Sequence, residues 1–174
     1  MKLLKQNIRK QITSFKNEIR TYSIYEKIEE QIALAAIEIN YQFNNITLPM
    51  LAFCRIKKGD DYANETLAQV GNDVLDLIIS LVGFSNGKSK GEIDKDRQKF
   101  GNNKFLFNIL KENEWEKFCY HKTHFYNDAP GNNKVSVKGH DAVIEAIIGA
   151  IYLDGGFDEV KLWVEEHFLI EKTF

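Results

Sequence analysis

The stretch NETLAQVGNDVLDLIISL, residues 64–81, repeats apolar side chains at the three- and four-residue spacing of an amphipathic helix. Three polar side chains, Gln69, Asn72 and Asp73, lie in the middle of this apolar stretch. A polar group that loses its hydration without gaining a partner destabilises a fold by about 2–7 kcal/mol. The function of the chain therefore depends on what these three side chains face.

Length and composition indicate one globular domain, with or without an appendage. The chain has 174 residues, of which 44% are hydrophobic and 28% are charged. Cys54 and Cys119 have neither a CxxC partner nor metal-ligand spacing, which indicates buried thiols in a reducing compartment. Polar residues interrupt the basic N-terminus too often for a signal peptide, and no uninterrupted apolar run approaches the ~20 residues of a membrane span. We expect a cytoplasmic protein, or one in another reducing intracellular compartment.

Charge is distributed unevenly along the chain. The net charge of −2 is not that of a generically basic nucleic-acid binder. Residues 1–20 nevertheless hold six Lys and Arg against one acid, and residues 88–104 hold six against three. From residue 154 onward, six acids face two bases. The basic segments are either ordinary solvated faces or two patches that contact a polyanion while the acidic end faces away.

Helical periodicity covers most of the chain, so the sequence predicts an all-α fold. Residues 1–22 are predicted to form a basic helical extension with a narrow apolar stripe, and residues 23–174 to form one domain. Thr47 and Asn64 are the predicted N-caps of two of its helices. The stretch at 121–139, rich in Asn, Gly and Asp, is predicted to be a long loop. The predicted helices of the domain lie at 25–39, 47–56, 64–84, 88–100, 103–112, 140–154 and 157–170.

Two motifs together resemble the ribonuclease III family. NETLAQVGNDVLDLIIS resembles its signature, Asn-Glu-(Arg)-Leu-Glu-Phe-Leu-Gly-Asp-Ala-Val-Leu. HDAVIEAIIGAIYLDGGF resembles its second motif, Asp-x-x-Glu-Ala-Leu-Ile-Gly-Ala-Ile-Tyr-Leu-Asp-Gly-Gly. INYQFNNITLPMLAFCR and KGEIDKDRQKFGNNKFLFNIL are weaker matches, so that the resemblance covers about residues 27–170. It implies the helical endonuclease domain of that family, with an extra N-terminal helix.

The resemblance also implies a site that this chain does not keep. The family holds Mg²⁺ with Glu-x-x-x-Asp on one helix and Asp-x-x-Glu on another, and the bound ions assist phosphodiester hydrolysis. The matching positions here are Ala68, Asn72, Ala142 and Glu145, so only the last carboxylate remains. This implies weak Mg²⁺ binding or none, and a pseudoenzyme or an impaired nuclease.

Nearby acids leave a second interpretation open. Asp141 lies four residues before Glu145, and residues at that spacing share a helix face. A rearranged metal cage could then combine Asp141, Glu145, Asn72 and Asp76, with Glu145 and Asp141 as the catalytic pair. In the other interpretation, Asp76 and Glu65 pair with basic side chains inside the fold.

The family pairs the signature helix with its twin in a partner subunit, which implies a homodimer, or a heterodimer with a ribonuclease III-like partner. The matching interface positions are Leu67, Gln69 and Val70. Gln69 stands where the family has a bulky apolar residue, so an amide weakens the expected contact. Gly71 and Gly149 match family glycines and predict close helix–helix approach, because a glycine in mid-helix otherwise costs about 1 kcal/mol.

His121 and His124 lie three residues apart, and His140 directly precedes Asp141. A metal site built on them is less favoured than ordinary loop and capping roles, because the first two fall in the predicted loop.

The sequence is consistent with three functions. The first is a catalytically impaired domain that binds double-stranded or structured RNA, with Lys95, Arg97 and Lys99 as candidate phosphate contacts. The second is an active Mg²⁺-dependent endoribonuclease with the rearranged cage, and the third is a structural module of a ribonucleoprotein. Only six residues follow Phe168, so we expect no double-stranded-RNA-binding domain within residues 1–174.

Overall fold

The computed structural model describes residues 25–55, 57–58, 61–62, 64–121, 124–125 and 140–169. The predicted N-terminal helix and most of the loop at 121–139 lie outside these ranges. In the described part of the chain the fold is built from α-helices, which confirms the predicted fold class. A few two-residue strands accompany them.

The first half of the domain contains helices α1 (Tyr25–Glu38), α2 (Thr47–Phe53) and α3 (Glu65–Ser85). The predicted second helix ends three residues early, because the backbone becomes extended at Cys54. Three short strands follow α2, namely β1 (Cys54–Arg55), β2 (Lys57–Lys58) and β3 (Asp61–Tyr62). Strands β2 and β3 form an antiparallel pair just before α3 begins.

The second half contains α4 (Lys90–Phe100) and α5 (Asn103–Glu112), and then a single 3-10 turn at Trp115–Phe118. Strands β4 (Tyr120–His121) and β5 (His124–Phe125) pair with each other, and β4 also pairs in parallel with β1. The backbones of His121 and His124 are therefore directly opposite, at the start of the predicted loop. The chain then forms α6 (Asp141–Gly155), α7 (Phe157–Val164) and a π-helical turn at Glu165–Leu169.

Two glycines allow α3 and α6 to cross with their backbones in contact. A Cβ atom added to Gly71 would lie 1.7 Å from the carbonyl oxygen of Glu145, and one added to Gly149 would lie 2.4 Å from the carbonyl oxygen of Leu67. No larger residue fits at either position without moving backbone. The predicted close approach of these helices is therefore confirmed.

Helix α3 is the central helix of the core. By length and composition alone its 21 residues would be able to cross a membrane. It lies instead along α6, and its side chains Leu75, Ile78 and Ile79 are almost completely buried. We interpret α3 as the buried helix of a globular domain.

The caps of two helices show what local sequence can and cannot predict. Ser89 begins α4 with a capping box, in which its hydroxyl and the Glu92 carboxylate each bond the other residue's backbone N–H. Hydrogen bonds from Ser89 lower the pKa of Glu92. Asn64 precedes α3 as predicted, but its side chain makes no cap hydrogen bond. It is fully buried and bonds to none of the described groups, which corrects the predicted capping role.

Asp154, near the end of α6, fastens the turn between α1 and α2. Its carboxylate accepts hydrogen bonds from the Asn44 backbone N–H at 2.8 Å, the Asn45 backbone N–H at 3.0 Å and the Tyr41 hydroxyl at 3.2 Å. Burial, reinforced by the Asp154 charge, raises the pKa of Tyr41 to about 12. Gly156 then turns the chain into α7 with a φ of 90°, a conformation that favours glycine.

Candidate functional site at the crossing of two helices

The α3–α6 crossing brings the four positions of the family's carboxylates to one region. Ala68 and Asn72 flank Gly71 on α3, and Glu145 supplies the backbone that Gly71 contacts. Ala142 lies one helical turn before Glu145 on α6. The sequence-predicted positions therefore meet, although only Glu145 among them carries a charge.

Burial differs among these four positions. Ala68 is 4% exposed and belongs to the hydrophobic core, whereas Asn72, Ala142 and Glu145 are half-buried. The position of the family's first glutamate is therefore packed here as a core position. Asp141 is the first residue of α6, one turn before Glu145.

Beside Asn72 lies an open cleft of about 370 Å³ between α3 and α4. Its walls are polar, since carboxylates, amides and a guanidinium line it. The lining residues are Asn72, Asp76, Asp94, Arg97, Gln98 and Gly101. Sequence reasoning identified Asn72, Asp76 and Arg97 as candidates but missed Asp94 and Gln98, which are brought there by the packing of α4 against α3.

The Asp76 carboxylate in this cleft is paired with the Arg97 guanidinium. The hydrogen bond from Arg97 to Asp76, together with the charge of Asp76, raises the pKa of Arg97. Both side chains remain partly exposed, at 31% for Asp76 and 44% for Arg97. An oxygen of Asp76 is thus already bonded to a cation from α4, which competes with its use as a metal ligand.

Two further ion pairs involve the acidic side chains of α4. Lys88 contacts Asp96 at 2.7 Å, and Lys90 contacts Asp94 at 3.0 Å. Of the three predicted phosphate contacts on this helix, Arg97 pairs with Asp76, while Lys95 and Lys99 are exposed. The Lys99 ammonium lies 4.7 Å from the centre of the Phe100 ring.

The donor set at the crossing does not fit the family's Mg²⁺ cage. Mg²⁺ binds oxygen ligands in octahedral geometry and dehydrates reluctantly, and the family's cage offers it four carboxylates. Ala68 and Ala142 cannot ligate, Asn72 offers a neutral carbonyl oxygen, and Asp76 is held by Arg97. Across the described residues, no three His, Cys, Asp or Glu side chains form a group that could hold a metal ion.

The predicted dimer positions on α3 fall on two different faces. Leu67 is 7% exposed and packs against Gly149 inside the domain, so it is not available to a partner; this corrects the predicted interface. Gln69 is exposed and donates a hydrogen bond to Asp73 at 3.2 Å, and Val70 is half-buried. Of the three predicted interface residues, Gln69 is the exposed one. Its amide is hydrogen-bonded to the Asp73 carboxylate of the same helix.

That face continues with apolar side chains that the sequence reading missed. Leu77, Leu81 and Phe84 lie along the second half of α3 and are 49%, 40% and 78% exposed. Their spacing from Asp73 is close to one helical turn each, so they extend one stripe. The sequence shows the helical spacing of the apolar residues. It does not show which apolar stripe faces the core, because that depends on the contact of Gly71 and Gly149 between α3 and α6.

The two thiols and His140 are buried. Cys54 and Cys119 are free and buried, as predicted, and burial raises the pKa of the Cys54 thiol. His140 is 2% exposed, directly before α6, with its ring 6.5 Å from the Phe107 ring.

Comparison with known proteins identifies similarity to one family. The Ribonuclease III domain family matches residues 65–156, a span that includes both α3 and α6. Ribonuclease 3 of Clostridium tetani is 33% identical over 145 residues, covering 78% of this chain and 60% of that protein. Ribonuclease 3 of Campylobacter fetus is 34% identical over 125 residues, covering 71% of this chain and 55% of that protein. This chain therefore spans little more than half the length of these relatives.

A solved structure has the same architecture. The nuclease domain of ribonuclease III from Campylobacter jejuni superposes with a TM-score of 0.64 at 27% identity, covering 78% of this chain and 97% of that domain. That domain is described as having structural flexibility in a region involved in dimer formation.

Proposed function

The chain belongs to the ribonuclease III family, and from this membership we propose that it binds double-stranded or structured RNA while cleaving it poorly or not at all. Its similarity to nuclease domains over α3 and α6 supports action on RNA. The exposed lysines of α4, next to the polar cleft, supply cations for phosphate contacts. The cleft then binds RNA without the full set of carboxylates that the family uses for hydrolysis.

One observation carries the proposed impairment. Three of the four family carboxylate positions hold Ala68, Asn72 and Ala142, and the nearby Asp76 is paired with Arg97. In the family, metal ions activate water and stabilise the leaving oxygen, and such stabilisation amounts to several kcal/mol. A loss of about 4 kcal/mol slows a reaction about a thousandfold.

Cleavage of a long RNA duplex in Mg²⁺ and in Mn²⁺ tests this proposal. We expect the unmodified protein to cleave at least about a thousandfold more slowly than an intact family nuclease under the same conditions. The triple variant Ala68→Glu, Asn72→Asp, Ala142→Asp should bind Mg²⁺ by calorimetry, because it restores the family's ligand types. Adding Glu145→Gln to the triple variant should remove that binding and any cleavage gained.

The rearranged cage remains the second candidate. It is favoured by Glu145, a half-buried residue whose backbone meets Gly71 at the crossing, and by Asp141 one turn earlier on the same helix. Rapid Mg²⁺-dependent cleavage by the unmodified protein, abolished by Glu145→Ala and by Asp141→Ala, would establish this candidate and overturn the proposed impairment.

We further propose that the domain acts as a homodimer, or as a heterodimer with a ribonuclease III-like partner, through the exposed face of α3. Gln69, Leu77 and Leu81 on that face are exposed, and exposed apolar side chains at one-turn spacing are typical of helix–helix interfaces.

A further inference from the structure

The face of α1 that points away from the core has two halves of different character. Its first half is acidic, with Glu26 and Glu30 exposed. Its second half is apolar, with Ala33 exposed, Leu34 45% exposed and Ile37 75% exposed. The opposite face of the helix is completely buried through Ile28, Ile32, Ala35 and Ile39.

The apolar half of this face borders a groove of about 570 Å³. Ala36 and Ile37 form one wall, and the turn that follows α1 forms the other through Tyr41, Phe43 and Ile46. Ile46 is also 37% exposed. A single charged variant of Ile37 would not disturb the core, but it would disturb anything that covers the groove.

Residues 1–20, which directly precede this helix, carry a complementary pattern. Apolar side chains recur at the spacing of one helix face, and a basic excess of six Lys and Arg over one Glu accompanies them. On a helical wheel, Lys16 and Arg20 lie along one flank of the apolar stripe. The apolar stripe consists of Leu4, Ile8, Ile12, Phe15 and Ile19.

The pattern of residues 1–20 matches the pattern of α1 when the two segments are aligned antiparallel. If the chain reverses within residues 21–24, a residue before the reversal lies beside one equally far after it. Ile8 then lies beside Ile37, and Ile12 lies beside Ala33. Lys16 lies near Glu30, so basic side chains meet acidic ones and apolar side chains meet apolar ones.

We propose that residues 1–20 dock on the exposed face of α1 and cover its groove as an antiparallel helix. The apolar stripe covers Leu34 and Ile37, and the basic flank pairs with Glu26 and Glu30. This interaction surface lies on α1, away from the α3–α4 cleft, and it does not depend on RNA binding.

Limited trypsin digestion of the full chain tests the apolar half of the contact. Cleavage after Lys10, followed by mass spectrometry, reports how often the segment leaves the surface, because proteolysis tracks the open population when opening is fast. Ile37→Asp should accelerate this cleavage about tenfold, since it removes the burial of a large apolar side chain. The matched control is Leu162→Asp, which changes an exposed apolar residue on α7 and should leave the rate unchanged.

A charge-swap cycle tests the other half. The double variant Glu26→Lys, Glu30→Lys should accelerate cleavage after Lys10, and the added changes Lys16→Glu, Arg20→Glu should restore protection. Circular dichroism confirms that each variant remains folded. Cleavage after Lys10 as fast in the unmodified chain as in a free peptide of residues 1–24 would overturn the proposal.

Absence of rescue by the charge swap would also overturn it. A third result would also contradict the proposal and would identify a different occupant of the groove. If Ile37→Asp converts a sedimenting dimer to a monomer and leaves the cleavage rate unchanged, then a second copy of the chain covers this face.

Discussion

Gly71 has no side chain, and this is what allows the backbones of α3 and α6 to touch. A methyl group there would lie 1.7 Å from the carbonyl oxygen of Glu145. We expect Gly71→Ala to lower the free energy of unfolding by about 3 kcal/mol or more, because the carbonyl oxygen that the methyl group meets belongs to a helix backbone and cannot rotate away. Urea denaturation measures this loss.

The control for that variant is Gly91→Ala in the first turn of α4. A Cβ atom at Gly91 meets nothing within 4 Å, and alanine favours helix over glycine by up to about 1 kcal/mol. The control should therefore be neutral or slightly stabilising. Equal effects of the two substitutions would contradict the assigned backbone contact.

Tyr41 makes the stability of the fold depend on alkaline pH. Its pKa is about 12 in the folded protein, mainly through burial and then through Asp154, against about 10 in the unfolded chain. Between these values the unfolded chain has lost a proton that the folded chain keeps, so stability is fully present below about pH 10 and is lost as pH rises through about 12.

The variant Tyr41→Phe removes this titrating group. Urea unfolding at pH 9 and at pH 11 should show a smaller loss of stability for the variant than for the unmodified chain. Identical losses would mean that Tyr41 titrates alike in both states, contrary to its contact with the Asp154 carboxylate.

At the scale of elements, the exposed face of α3 provides a test of assembly. Gln69→Phe replaces the exposed amide with the bulky apolar type that the family has there, and it should strengthen a dimer that uses this face. Leu77→Asp should weaken the same dimer by placing a charge in the interface. Sedimentation at micromolar concentration measures both shifts.

Leu162→Asp on α7 is the matched control for the assembly test, since Leu162 is apolar and 62% exposed. It should not change the oligomeric state. A 20.1 kDa monomer in all variants, including Gln69→Phe, would argue against dimerisation through α3.

The sequence predicted the elements well where the periodicity was long. The α5 bounds agree with the prediction, α1 ends one residue earlier than predicted, and α3 begins and ends one residue later than predicted. The end of α2 was missed because pairing of Cys54 with Tyr120 draws the chain into an extended strand. That pairing joins residues far apart in sequence, which local propensity cannot encode.

The site was predictable in position but not in its internal pairing. The resemblance to the family motifs implied a common site for Asn72 and Glu145, and they lie on the two helices that cross at Gly71. The pairing of Asp76 with Arg97 depends on how α4 packs against α3, and the burial of Leu67 depends on which face of α3 meets Gly149. Both are tertiary outcomes.

For the whole molecule, the basic side chains of α4 are expected to contribute to RNA affinity. Replacing Lys95, Arg97 and Lys99 with alanine should weaken duplex binding and flatten its salt dependence by up to about one unit for each lost phosphate contact. Filter binding across a range of salt concentrations measures the slope. Unchanged binding in the triple variant would exclude α4 from the RNA surface.

A double variant of Lys95 and Lys99 separates the exposed lysines from the paired arginine. Arg97 is bonded to Asp76, so the double variant should produce most of the change in slope. A triple variant with twice the effect of the double variant would show that Arg97 leaves Asp76 to contact phosphate.

The contact between Gly71 and Glu145 can form only after α6 has been synthesised, which delays folding of the core during translation. The two residues lie 74 positions apart, so α3 leaves the ribosome well before the helix it needs. At translation rates of about 5–20 residues per second, this delay is roughly 4–15 s. Throughout that interval α3, a 21-residue helix with the apolar content of a membrane segment, lacks the helix that covers its core face. The nascent chain is therefore a natural client for chaperones, and slowed translation between residues 86 and 140 should increase its aggregation.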